Sequence, residues 1–239
     1  MVRDGLPVRL REVQDRVAAA CARIGRDPAE IRIVAITKGH PAHDVAAAIE
    51  AGLSDVGENR VDEALEKFSR VAEPLESHGV TRHMVGHLQR NKVRLAVTVF
   101  DWVQSVDSVR LARALSERVA DRRESLPILV EVNVGEEQQK HGFGPEEAVD
   151  RAAEIAELPG LSLRGLMTMA PWTEDPTVLR TTFRRARSLF ERMTGSTGGM
   201  RGSIDTLSMG MSGDYPLAIE EGSTMLRLGT ALFGSRQEG

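Results

Sequence analysis

Strand-like and helical segments alternate along this chain from one end to the other, and that alternation constrains the fold more than any other feature. Ile31 to Thr37 is apolar and β-branched on both faces, the pattern of a strand buried on both sides. Pro41 then opens an alanine-rich helix closed by Gly52. The same sequence of events recurs. Strands are predicted at Asp55 to Asn59, His83 to Gly86, Trp102 to Val106, Ile128 to Val134, Leu163 to Met169, and in the runs TLSMG and MLRLG. Helices are predicted between them, among them Arg60 to Ser77, Glu146 to Glu157 and Pro176 to Met193, the last followed by a flexible GSTGGMRG. Ahead of them all, Leu6, Leu10, Val13, Val17, Ala20 and Ile24 recur at helical spacing, and Gly25 ends that first helix.

Strands separated by helices imply a parallel sheet. Eight such units in 239 residues predict an α/β fold of the (β/α)8 TIM-barrel type with an extra N-terminal helix. An open α/β sheet is the alternative that pattern alone leaves. No linker, low-complexity tract or short repeat interrupts the chain, so residues 1–239 are expected to form a single domain. Its helix is placed at about residues 6–25 and its barrel at about residues 31–234.

The formal net charge of -4 argues against a nucleic-acid protein that relies on overall basic charge. The lone Cys21, among helical alanines, reads as a packing thiol in a reducing compartment. No run is apolar and long enough for a membrane helix, and the N-terminus lacks a signal-peptide core, so a cytoplasmic location away from membranes is expected.

In a parallel barrel, chemistry gathers where the C-terminal ends of the strands meet. Lys38, Asn59, Gly86, Ser105, Asn133, Met169, Ser208 and Arg227 all fall at or near such ends. Loss of solvation there favours a neutral lysine amine able to attack a carbonyl; the competing reading of Lys38 is a side chain that snorkels to water. SMGMS offers the hydroxyls of Ser208 and Ser212 and the flexible Gly210, and RLGTALFG offers Gly229 and Thr230. Each is followed by a helix start, the arrangement of a phosphate cradle after strands seven and eight. Either turn alone reads equally as a plain tight turn. Arg227 lies inside the last strand, where an always-charged guanidinium needs a partner: a structural ion pair, or a ligand's ring nitrogen or phosphate.

Other features carry less. His83 and His87 have the spacing of a helical metal pair but lie across a strand and loop with no obvious third ligand, so no metal is expected. The basic runs around Arg90 and from Arg180 to Arg192 read as solvated helix faces. Nucleotide-phosphate glycine loops, the serine nucleophile elbow and zinc-protease motifs are all missing.

From about Leu6 to Phe233, in IRIVAITK, VGENRVDE, HMVGHLQRNK, RGLMTM and LSMGMSGDYPLAIEEGSTMLRLGTALFG, the chain resembles the YggS/PROSC family of pyridoxal-phosphate homeostasis proteins. The resemblance implies a barrel like the N-terminal barrel of bacterial alanine racemase, of PLP fold type III, that binds pyridoxal 5'-phosphate (PLP) through a lysine Schiff base. It implies buffering or delivery of the cofactor with no established catalysis. Carried over by motif, Lys38 is the Schiff-base lysine, and Ser208, Gly210, Ser212, Gly229 and Thr230 surround the phosphate. Arg227 then faces the pyridine nitrogen and Asn59 borders the ring. Two positions depart from the usual pattern: Arg60 stands where a tyrosine is common, and Thr37 where a serine often precedes the lysine.

An arginine has only donors, so a ring nitrogen facing it acts as acceptor and the ring is a poorer electron sink. Two-base racemisation would also need an acid–base group opposite the lysine. The single tyrosine, Tyr215, lies in the phosphate turn, His83, His87 or His141 could substitute only by reaching the opposite face, and the length is expected to leave no room for the racemase's C-terminal β-domain. A non-catalytic PLP carrier, monomeric and able to meet apo PLP-dependent enzymes, is therefore expected, with an amino-acid racemase as the alternative.

Overall fold

The structure, a computed structural model, describes residues 2–119, 125–137, 139, 141–196 and 204–235. Its strands are β1 (Arg32–Ile36), β2 (Asp55–Glu58), β3 (Thr81–Met84), β4 (Trp102–Val106), β5 (Leu126–Glu131), β6 (Leu161–Met167), β7 (Thr206–Ser208) and β8 (Met225–Leu228). They pair in parallel in sequence order, and β1 pairs with β8, so the sheet closes into a (β/α)8 TIM barrel. The helices are α1 (Val2–Arg23), α2 (Ala42–Glu50), α3 (Val61–Ser69), α4 (Ala72–Ser77), α5 (Val93–Val99), α6 (Val109–Val119), α7 (Ala148–Ala156), α8 (Pro176–Ser196), α9 (Tyr215–Glu220) and α10 (Thr230–Phe233).

The departures from the sequence expectation have local causes. The helix expected from Arg60 to Ser77 breaks at Arg70 and Val71, because Pro74 has no N–H to give the carbonyl of residue 70. β3 begins at Thr81 rather than His83: the polar Thr81 and Arg82 are half-buried strand residues, and the Arg82 N–H donates to Asp101. Ile24, placed by spacing on the buried face of the first helix, lies past its end and is exposed, while Gly25 takes the left-handed conformation. Most of GSTGGMRG, residues 197–202, lies outside the described residues.

The N-terminal helix completes the outer layer. α10, after β8, is only four residues long and cannot cover the β8–β1 wall as an eighth barrel helix would. α1 covers it instead: Leu6, Leu10, Val13 and Val17 pack against Ala35 of β1, Leu226 and Leu228 of β8, and Phe233. The other strands are sheathed by the main core, with Phe183 and Phe190 of α8 and Leu111 and Leu115 of α6 among its large side chains.

Inside the barrel a small apolar layer of Val34, Ile36, Leu129, Met167 and Met225 surrounds Trp102. At the N-terminal end of the strands the Arg32 and Arg164 guanidinium groups lie 5.4 and 5.5 Å from the Trp102 ring. These side chains fill that end, and the polar side chains described next lead toward the other.

Candidate functional site at the barrel mouth

Lys38 stands in the turn that follows β1, half-buried, and both of its neighbours are tied down. On one side, the Lys67 ammonium donates to the Thr37 carbonyl at 2.6 Å. On the other, the Gly39 N–H donates to Glu63 Oε1 at 2.7 Å, and Gly39 sits at φ +71°, where a side chain would be strained. Lys67 also bonds Glu63 and the fully buried Glu58, to which the Thr37 hydroxyl donates at 2.6 Å. Burial pushes the Glu58 carboxyl up while Lys67 and Thr37 pull it down, and its Oε2 has no hydrogen-bond partner among the described residues. The strand-end turn is therefore held by a buried lysine and two glutamates that the sequence reading passed over. A signal existed: Glu58 closes a fully buried strand, and a carboxylate there demands a cation.

On β8, the strand paired with β1, Arg227 is fully enclosed. Its guanidinium donates to Ser208 Oγ at 2.6 Å and to the Thr168 carbonyl at 2.8 Å. Among the described residues no carboxylate lies within ion-pairing distance of it. Asp214 and Glu131 act only from further off, and burial lowers its pKa to about 10 against their pull. The structural ion pair that competed as a reading of Arg227 is absent from the described residues. A charge desolvated this way is expensive unless something completes its coordination.

Ser208 continues a chain of bonds rather than standing open at the phosphate turn. Its hydroxyl accepts from Arg227 and donates to Gln104 Oε1 at 2.7 Å. The Gln104 amide nitrogen lies 3.1 Å from His83 Nδ1, and His83 Nε2 lies 2.8 Å from Asp55 Oδ1, which Arg32 also holds. With the amide as donor, His83 carries its proton on Nε2 and gives it to Asp55. Burial lowers the His83 pKa and keeps it neutral. Burial would raise Asp55, but His83 and Arg32 hold it below the usual carboxylate range. Every donor in this relay thus points the same way, from Arg227 down to Asp55. The register shift between β4 and β5 from Val103 to Val106 is a bulge flanking Gln104. His83, weighed earlier as half of a metal pair, belongs to this relay.

The remaining expected residues sit around the same mouth. The Ser212 hydroxyl, in the turn after β7, accepts from the backbone N–H groups of Gly229, at 3.2 Å, and Ala231, at 3.1 Å, so two donors of the turn after β8 converge on it. Gly210, at φ +94°, has no room for a Cβ, which would lie 2.7 Å from that of Ala218. Thr230 is exposed at the start of α10, and Asn59 is half-buried after β2. The helices after these turns are six and four residues long, so converging N–H groups rather than a helix dipole mark the cradle. Tyr215 is fully buried against α1, with the Arg16 guanidinium 5.1 Å from its ring.

At the ends of β3, β4 and β5 stands a third group. Glu131 is buried, and burial, then the nearby Asp107, push it up to about 7 while Arg227 and His87 pull it down. Arg180, Arg184, Arg185 and Arg187 of the basic α8 run are each paired with glutamates, so that face is not an uncompensated cationic patch.

Residues 8–237 match the family model of the alanine racemase N-terminal domain. A pyridoxal phosphate homeostasis protein of Escherichia coli is 39% identical over 231 residues, covering 95% of each chain. The chain belongs to this family. Among solved structures, PipY of Synechococcus elongatus with PLP bound is 32% identical, covers 93% of this chain and 100% of that one, and superposes with a TM-score of 0.79. A protein from Bifidobacterium adolescentis, 36% identical, covers 97% of this chain and 96% of that one with a TM-score of 0.91. Family membership and the closed barrel agree with the resemblance drawn from the motifs. No helix among the described residues is long and apolar enough to cross a membrane.

Proposed function

We propose that this chain binds pyridoxal 5'-phosphate at the barrel mouth and serves intracellular PLP homeostasis by holding and releasing the cofactor without turnover. The observation that carries the reading is Arg227: a buried guanidinium that, among the described residues, is bonded only to neutral oxygens, next to a turn whose N–H donors converge on one hydroxyl. Both features fit a ligand that offers a ring-nitrogen acceptor and a phosphate. When bound, the cofactor would supply a reactive aldehyde, and Lys38 would be the residue that holds it covalently and reversibly.

The chain's own residues then divide the work. Lys67 and Glu63 fix the backbone on either side of Lys38, so its amine returns to one place after each release. Ser212, Gly229 and Thr230 hold the phosphate, and Gly210 lets the first turn bend tightly beside it. Asn59 borders the ring. Ser208 acts through Arg227: its hydroxyl is committed to Arg227 and Gln104, so it positions the guanidinium instead of contacting the phosphate.

The absence of turnover rests on two supports. Arg227 donates but does not accept, so it keeps the ring nitrogen unprotonated and withholds the electron sink that transamination and decarboxylation use. Tyr215 and His83 are buried in other contacts and are not available as a second acid–base group. A single-domain monomer that hands PLP to apo-enzymes completes the proposal.

Borohydride reduction of the purified protein, followed by peptide mass mapping, tests it. The expected result is a phosphopyridoxyl mass on the peptide containing Lys38 and loss of the visible absorbance in Lys38→Ala. A colourless protein that ignores added PLP refutes it. Solvent exchange of an amino acid's α-hydrogen above the Lys38→Ala control would overturn the non-catalytic part alone.

A further inference from the structure

His87, Asp107 and His141 come together although they lie far apart in the chain. Each follows a different strand: His87 comes after β3, Asp107 directly after β4, and His141 in the connection from β5 to α7. One ligand atom from each residue lies within 4.8 Å of the other two. His87 Nδ1 is 2.8 Å from Asp107 Oδ2, and the two imidazole rings stack with centroids 3.9 Å apart at 14°.

The backbone segments that carry them are joined. Ser105 of β4 donates its hydroxyl to the carbonyl of Gly86, the residue before His87, at 2.6 Å. Phe143, two residues after His141, exchanges backbone bonds with Glu131 and Asn133 across an isolated bridge to Val132. Ser108 donates to the other oxygen of Asp107 and orients its carboxylate. Asp107 also stands close enough to the buried Glu131 to raise it. Among the described residues, His87 is the one basic side chain within 4.0 Å of the Asp107 carboxylate.

We propose that His87, Asp107 and His141 form a divalent-cation site at the rim of the barrel mouth. Two imidazoles and one carboxylate suit zinc and neighbouring first-row ions, and three protein ligands leave coordination positions open to solvent or to an oxygen of a small molecule at the mouth. The ion replaces the proton shared by His87 and Asp107, and each imidazole turns about its χ angles to direct its lone pair inward. Of the two histidines noted by their spacing in the sequence, only His87 belongs to this group; the second imidazole is that of His141, and the carboxylate comes from the end of the next strand.

Calorimetric titration of the full-length protein with zinc chloride tests this, using wild type, Lys38→Ala, Asp107→Asn and the double variant His87→Ala/His141→Ala. The expected result is one ion per chain in wild type and in Lys38→Ala, at least ten-fold weaker binding in Asp107→Asn, and none in the double variant. Retention in Lys38→Ala separates this site from metal chelation by a lysine-bound cofactor, so it stands or falls independently of the PLP reading. Zinc X-ray absorption on the wild type should show imidazole nitrogens at about 2.0 Å. Equal binding by wild type and the double variant, or a shell made only of oxygen, overturns the proposal.

Discussion

Lys67 donates to the carbonyl of Thr37 at 2.6 Å, so the residue next to Lys38 is anchored by a second, buried lysine. Lys67 is also the counter-ion of Glu58, and removing one member of such a pair strands the other. Lys67→Met should therefore destabilise the fold by about 3–5 kcal/mol. The double variant Lys67→Met/Glu58→Gln should recover much of that loss, because no uncompensated charge remains. Urea unfolding of the two variants decides it; a double variant no more stable than the single would mean the ion pair is not the cause.

Gln104 joins the Arg227–Ser208 pair to the His83–Asp55 pair. Gln104→Leu fills similar space but leaves the Ser208 hydroxyl proton without its acceptor and His83 Nδ1 without its donor. Each buried polar group left unsatisfied costs about 1–3 kcal/mol, so a loss of at least about 2 kcal/mol is expected. The visible band of the PLP-loaded protein should also shift as Arg227 loses its fixed orientation. Unchanged stability would show that the relay is not formed.

Glu131 makes stability depend on pH with a definite sign. Its pKa is raised from the ordinary 4.5 to about 7, so between these values the folded state binds more proton than the unfolded state. Its contribution is complete below pH 4.5 and is lost as pH rises through 7. Glu131→Gln should match wild type at pH 4 and exceed it at pH 8, by on the order of 2–3 kcal/mol. Thermal unfolding of the cofactor-free protein across this range gives the curve. Parallel curves for the two proteins would rule out Glu131 as the source.

Arg227 bears on binding more than on folding. Arg227→Met keeps much of the volume and removes a desolvated charge that has no carboxylate in contact. The loss of one charged hydrogen bond to the ligand should weaken PLP binding by roughly ten- to a hundred-fold. Lys38 should still be labelled on reduction at saturating PLP. Fluorescence titration measures the affinity, and wild-type affinity in this variant would remove Arg227 from the site.

Short-range patterns in the sequence were enough to read the barrel. β1 and β5 announce themselves as β-branched runs, α8 and α1 as amphipathic stripes, because those signals arise from neighbouring residues alone. The turn residues Lys38, Ser212 and Gly229 were legible too, since a parallel barrel brings all its strand ends to one mouth whatever the details of packing. Closure decided the rest. α1 occupies the β8–β1 wall only because α10 is too short, and Lys67 reaches Thr37 only because α3 packs on β2, the strand paired with β1. The relay from Arg227 to Asp55 and the grouping of His87, Asp107 and His141 depend on strand register and loop return. Hydrogen bonds of about 3 Å require positions that no periodicity encodes. The chain's own order of residues specifies which elements form, and the closed sheet selects which polar groups meet.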